Sequence, residues 1–221
     1  MHIFDINGPL MDVLRKLADI IIYNLLFVIF SLPVFTCGAA FAALCHGMQN
    51  LAAEEVTDQG VLKIFWNDFK TYFKEATKLW CLVLFLAALI FSALFTRGYM
   101  PEALGDFYLV SIYVIVGIAG LGLQFAFPYL VKTNSSMKKS LQTSFLMGVA
   151  QFPWTLCSLG ITVGFVYITL FLRENAFLYG TFFWVSAGFG VLVYITSFFF
   201  LKAYGNIFEE SKKDVLREDK S

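Results

Sequence analysis

The chemistry open to this chain is bounded by how few of its side chains can hold or move a proton. Only His2 and His46 offer an imidazole base in 221 residues. No HExxH, GxSxG, glycine-rich phosphate loop or pair of carboxylates within one apolar segment accompanies them. The four cysteines (Cys37, Cys45, Cys81, Cys157) stand in apolar segments without a CxxC spacing. There a thiol packs as a small hydrophobe, and no zinc-type ligand set assembles. The sequence therefore predicts a protein that is not an enzyme and uses no metal or cofactor.

Polar side chains inside the apolar stretches are few: Asn24, Ser31, Thr36, His46, Gln124, Gln151, Thr155 and Ser197 are the main ones. None is permanently charged, whereas ion- and proton-coupled transporters often hold a charged group at mid-membrane. Asp19 stands at a segment boundary four residues after Arg15, a spacing that predicts a local ion pair. A lone histidine at the end of a span reads as an interface residue, although histidine is the residue type that serves as a switch near neutral pH. If the chain carries a polar site, Asn24, Thr36 and His46 are its candidates, grouped around a helix break at Pro33.

The elements that must position these groups follow from composition. With 59% hydrophobic and 14% charged residues, the chain departs far enough from soluble-domain usage to be a polytopic membrane protein with the lipid bilayer as its first partner. A net charge of zero gives no reason to expect a nucleic-acid partner. Uncharged runs at Leu79–Thr96, Phe107–Val131, Ser140–Leu172 and Asn175–Leu201, with the opening run Ile20–Ala53, predict an all-α transmembrane helix bundle of about five spans. They form one domain over residues 1–205, followed by a short charged cytoplasmic tail over 206–221. Asp5 precedes any cation and no small-residue cleavage pattern follows, so the first segment reads as a retained anchor. Lysines crowd the 47–78 and 132–143 loops and the tail, against Arg97 and Arg173 on the other side, joined by Arg15 and Lys16 if the amino terminus is outside. With five spans the positive-inside rule places the amino terminus outside and the carboxyl terminus in the cytoplasm.

The opening run spans about 34 residues, where one crossing needs roughly 20. Pro33 breaks it, and Gly38, Ala39, Ala40, Ala42 and Ala43 follow. The favoured reading is one kinked span with a small-residue face that a neighbouring helix or partner can approach, with Gly38, Ala39 and Ala43 at its centre. The alternative is a re-entrant pair of half-helices whose exposed backbone binds a ligand. Gly160 and Gly164 form a GxxxG pair suited to packing within the chain or to homo-oligomer contact. From Val61 to Lys78, Leu62, Phe65, Phe69, Tyr72, Phe73 and Ala76 recur at helical spacing, with Lys63, Lys70, Lys74 and Lys78 mostly opposite. This is an amphipathic helix suited to the cytoplasmic membrane surface.

The segment "LADIIIYNLLFVIFSLPVFTCGAAFAAL", through Asp19, Asn24, Ser31, Pro33, Thr36, Gly38, Ala39 and Ala43, resembles the YesL family of small multi-pass bacterial proteins, a domain of unknown function. "FWNDFKTYFKEATKLW", "FPYLVK" with Pro128, and "SLQTSFLMGVAQFPWTL" with Pro153 and Thr155 are similar to later blocks of that family. The resemblance implies no reaction. It implies an accessory subunit of oligosaccharide uptake beside a carbohydrate ABC permease, because family members are encoded near such importers.

Overall fold

In the computed structural model the described residues are 9–55, 60–171 and 176–218; His2 and Arg173 lie outside them. Every element is helical among these residues. The helices are α1 (Pro9–Phe30), α2 (Cys37–Ala52), α3 (Val61–Arg97), α4 (Glu102–Thr133), α5 (Met137–Ala150), α6 (Phe152–Phe171), α7 (Ala176–Phe183) and α8 (Phe189–Glu218). A 3-10 turn, Val34–Thr36, precedes α2, and a π-helical turn, Trp184–Gly188, joins α7 to α8.

The opening run is a hairpin, not one kinked span. Lys16 near the start of α1 pairs with Glu54 just after α2 at 2.8 Å, while Phe27 meets Phe41 nearer the tip. The two helices therefore run antiparallel and turn at Ser31–Thr36. Proline explains where the turn falls: Pro33 cannot donate to the α1 ladder, and the residue before a proline avoids helical backbone. The carbonyls freed there are taken up locally. The Thr36 hydroxyl donates to the carbonyls of Phe30 (2.6 Å) and Pro33 (2.8 Å), and Trp80 Nε1 donates to that of Val34 (2.8 Å).

The start of α1 and residues 53–55 lie at one end of the bundle.

The core is built around α2. Ala39, Ala40, Ala42, Ala43, Leu44 and Met48 are fully buried, against Ile20, Tyr23 and Phe27 of α1, Phe65, Phe69, Tyr72 and Ala76 of α3, and Ala126, Phe127 and Leu130 of α4. The amphipathic helix expected on the membrane surface is the first part of α3, which runs unbroken for 37 residues, about 55 Å at the α-helical rise. Phe65, Phe69, Tyr72 and Ala76 of its apolar face pack on the core around α2, while Leu62 and Phe73 are exposed, as are Lys63, Lys70, Lys74 and Lys78.

Three helical stretches are long and apolar enough to cross a membrane: Val61–Arg97, Leu104–Thr133 and Gly180–Asn206. The expected fourth span is a pair, α5 and α6, bent by 100° at Gln151. Counted as one crossing it makes four among the described residues, against the five expected. Pro153 accounts for the bend as Pro33 does for the hairpin, and the buried Thr155 hydroxyl donates to the carbonyls of Gly148 (3.0 Å) and Gln151 (3.1 Å). α8 continues past residue 205 to Glu218, so the charged tail is an extension of the last helix as far as it is described.

The hairpin is open to a direct test. In a background without Cys81 and Cys157, Lys16→Cys with Glu54→Cys should form a disulfide under mild oxidation, while Lys16→Cys with Val34→Cys should not. Failure of both pairs to crosslink on non-reducing gels would restore the single kinked span, in which residues 16, 34 and 54 all stand far apart.

Candidate functional site

The three polar candidates do not form one site. Asn24, fully buried on α1, holds the π-helical turn: its Nδ2 donates to the carbonyls of Trp184 (3.2 Å) and Val185 (2.7 Å), and its Oδ1 accepts from the Gly190 amide (2.9 Å). A π turn misaligns the helical ladder, and Asn24 carries the donors and the acceptor that its loose backbone groups need. Thr36 is committed to the hairpin turn described above. His46 stands elsewhere, between α2 and α3.

There His46 Nδ1 lies 2.7 Å from Asp68 Oδ2, with the Tyr72 ring edge-on at 5.8 Å between centroids. Asp68 is buried, and a carboxylate can only accept, so Nδ1 carries the hydrogen of this bond. The lone histidine expected at the end of a span is thus a partly exposed His46 paired with the buried Asp68 carboxylate. Asp68 was detectable in the sequence: three residues after Phe65 and four before Tyr72, it occupies the buried face of α3.

The small-residue face is consumed inside the chain. A Cβ on Gly38 would sit 2.4 Å from Trp80 Cβ and 2.7 Å from the Ala76 carbonyl oxygen, and Ala39 and Ala43 have no exposed surface. Gly38, Ala39 and Ala43 are therefore packing residues between α2 and its neighbours, and no partner reaches them in this fold. Gly160 and Gly164 of α6 behave oppositely: nothing lies within 4 Å of a Cβ added at either. Pro33 itself is exposed at the hairpin tip, between Leu32 (78% exposed) and Val34 (63%).

A cavity of about 740 Å³ opens at the charged end of α1. Asp12, Arg15, Lys16, Asp19 and Tyr23 line it from α1, Gly47, Asn50 and Leu51 from α2, Glu54 and Glu55 from the following turn, and Gly60, Val61 and Ile64 from the start of α3. The Arg15–Asp19 ion pair expected from spacing is absent; the salt bridges here join Lys16 to Glu54 and, at 3.7 Å, Lys132 to Glu55. The Lys16 ammonium holds the Glu54 carboxyl below its usual range. Asp19, without such a partner, is pushed up by burial.

Substitutions separate these roles. Asp68→Ala should lower unfolding stability in mild detergent by about 2 kcal/mol, because it strands the His46 N–H. Gly38→Leu should cost about 3 kcal/mol through overpacking against Trp80. Gly160→Leu should leave the unfolding midpoint unchanged, and a comparable loss there would show that α6 packs more tightly than described.

Residues 20–94 match the family DUF624, described as a protein of unknown function, to which YesL-like proteins belong. No curated protein and no solved structure matches the chain.

Proposed function

We propose, starting from the DUF624 match, that this protein is a multi-pass component of the bacterial cell membrane that acts by contact: an accessory subunit of carbohydrate ABC-type uptake, without chemistry of its own. The observation that carries this reading is the outer face of α1. Leu10, Val13, Leu14, Leu17, Ile21, Leu25 and Ile29 recur at helical spacing and are all exposed, and the tip continues them with Leu32, Val34 and Phe35. Opposite them, Ile20, Tyr23, Asn24 and Phe27 are spent on the core. Such a face suits lipid and another membrane helix, and it replaces Gly38–Ala43 as the surface a permease would meet.

The basic residues support an orientation for this arrangement. Arg15, Lys16, Lys63 and Lys132 stand towards the end that holds the Lys16–Glu54 and Lys132–Glu55 contacts, and Arg97 stands at the turn between α3 and α4. By the positive-inside rule the first end is cytoplasmic, with both the amino end and the end of α8 on that side. The alternative, an independent transporter or channel with its site at the Pro33 break, fares worse. Three of the carbonyls there, those of Phe30, Pro33 and Val34, already accept from Thr36 and Trp80.

A photoreactive residue at Leu25 or Ile29, crosslinked in intact cells and followed by mass spectrometry, should capture an ABC permease, and the same residue at buried Ala43 should not. Adducts to lipid and to this chain alone, at all three positions, would overturn the accessory role.

A further inference from the structure

α1 meets the last span through an inserted side chain. Asn24 is fully buried, and its amide stands between two backbone groups of the π turn: the Val185 carbonyl accepts from Nδ2 at 2.7 Å, and the Gly190 N–H donates to Oδ1 at 2.9 Å. Val185 and Gly190 are five residues apart, the spacing that a π-helical ladder joins directly. The Asn24 amide therefore occupies the place of a bond that the π turn could make for itself, as a side chain wedged into a helical ladder does.

A missing side chain makes the approach possible. A Cβ on Gly190 would sit 2.9 Å from the Ile20 carbonyl oxygen and 3.4 Å from Asn24 Cβ, so glycine here lets α1 come close enough for its amide to reach the ladder. Phe27 and Phe189, with ring centroids 5.1 Å apart, add an apolar contact between the same two helices. Apolar contact has no fixed direction, whereas the amide pair sets one register of α1 on α8.

Opening this contact costs little on the α8 side. When the amide withdraws, the Val185 carbonyl and the Gly190 N–H can bond each other across the turn, so neither is stranded in an apolar interior. At Pro33 and Pro153 no such exchange exists, because the proline ring removes the donor outright. On its other side α1 is exposed along Leu10, Leu14, Leu17, Ile21, Leu25 and Ile29, where no described residue holds it from behind.

We propose that Asn24 is a releasable latch: with its amide inserted, α1 is locked to the last span, and with the amide withdrawn, the π turn closes on itself and α1 is freed from α8. The latch is a device of the fold and stands without a permease. That a partner on the outer face of α1 would work it rests on the accessory role proposed above.

Hydrogen exchange followed by mass spectrometry, on the full chain in mild detergent, tests the latch with no partner present, so its failure and that of the accessory role are separate results. Asn24→Leu fills the site without the amide. It should speed exchange in α1, over residues 17–30, by about tenfold, and leave residues 184–190 as protected as in the unmodified chain, because their ladder closes unaided. Loss of protection over 184–190 would make Asn24 a plain strut of the π turn, and an α1 that exchanges at its original rate would leave the amide holding nothing; either result overturns the latch. Should Asn24→Leu fail to fold, Gly190→Ala keeps the amide but blocks its approach, and the same two outcomes decide. Asp106→Asn, which removes the distant pair with Arg97, is the control and should change neither segment.

Discussion

Hydrocarbon offers no hydrogen-bond partners, so every backbone group released from a helical ladder must find one inside the protein. This chain breaks its ladders repeatedly, and the rest of the structure depends on how those breaks are closed. At Pro33 the freed carbonyls go to Thr36 and Trp80. Those at the Pro153 bend go to Thr155, and the π turn at Trp184–Gly188 is held by Asn24. Gln49, buried on α2, donates to the carbonyl of Pro128 inside α4 (2.9 Å). The scarce polar residues of the apolar segments are therefore mainly structural, and their positions follow from the prolines and the π turn they serve.

Closing the breaks in this way fixes the topology. With the hairpin turn tied off by its own Thr36 and by Trp80 from α3, α2 folds back into the centre, where its alanines let α1, α3 and α4 approach. Gly38 and Gly47 mark the tightest points, the first under Trp80 and the second under the Tyr23 ring. A wider residue at either place would push a helix away from the core that α2 holds together.

How much of this was legible in the sequence differs by element. The helical, membrane-embedded character came through because hydropathy reports local composition. The lysine face of α3 came through because 3.6-residue periodicity does not depend on what the other face touches. The hairpin did not, because a proline in an apolar run marks a kink and a reversal equally well. Only distant contacts, such as Lys16 with Glu54 or Phe27 with Phe41, tell them apart. Asp68 was not singled out, although its register with Phe65 and Tyr72 puts it on the packed face of α3. The glycine spacings misled in the other direction. Gly160 and Gly164 have the motif but no close neighbour, whereas Gly38 and Gly47 make the contacts without a GxxxG spacing.

The same reasoning separates the two kinds of polar group in this protein. Asn24, Thr36 and Thr155 each have a backbone partner that the fold itself creates, so their presence is explained once the breaks are explained. Asp19, Tyr23 and Asn50 have no such partner; they line the cavity at the charged end of α1, where the Tyr23 ring packs against Phe65 while its polar end meets the cavity. The match is not complete: Ser31 Oγ, Gln49 Oε1, Thr77 Oγ1, both amide atoms of Gln124, Ser144 Oγ and Ser158 Oγ are buried with no hydrogen-bond partner among the described residues, so the backbone need at a helix break, and not burial alone, decides which side chains are engaged.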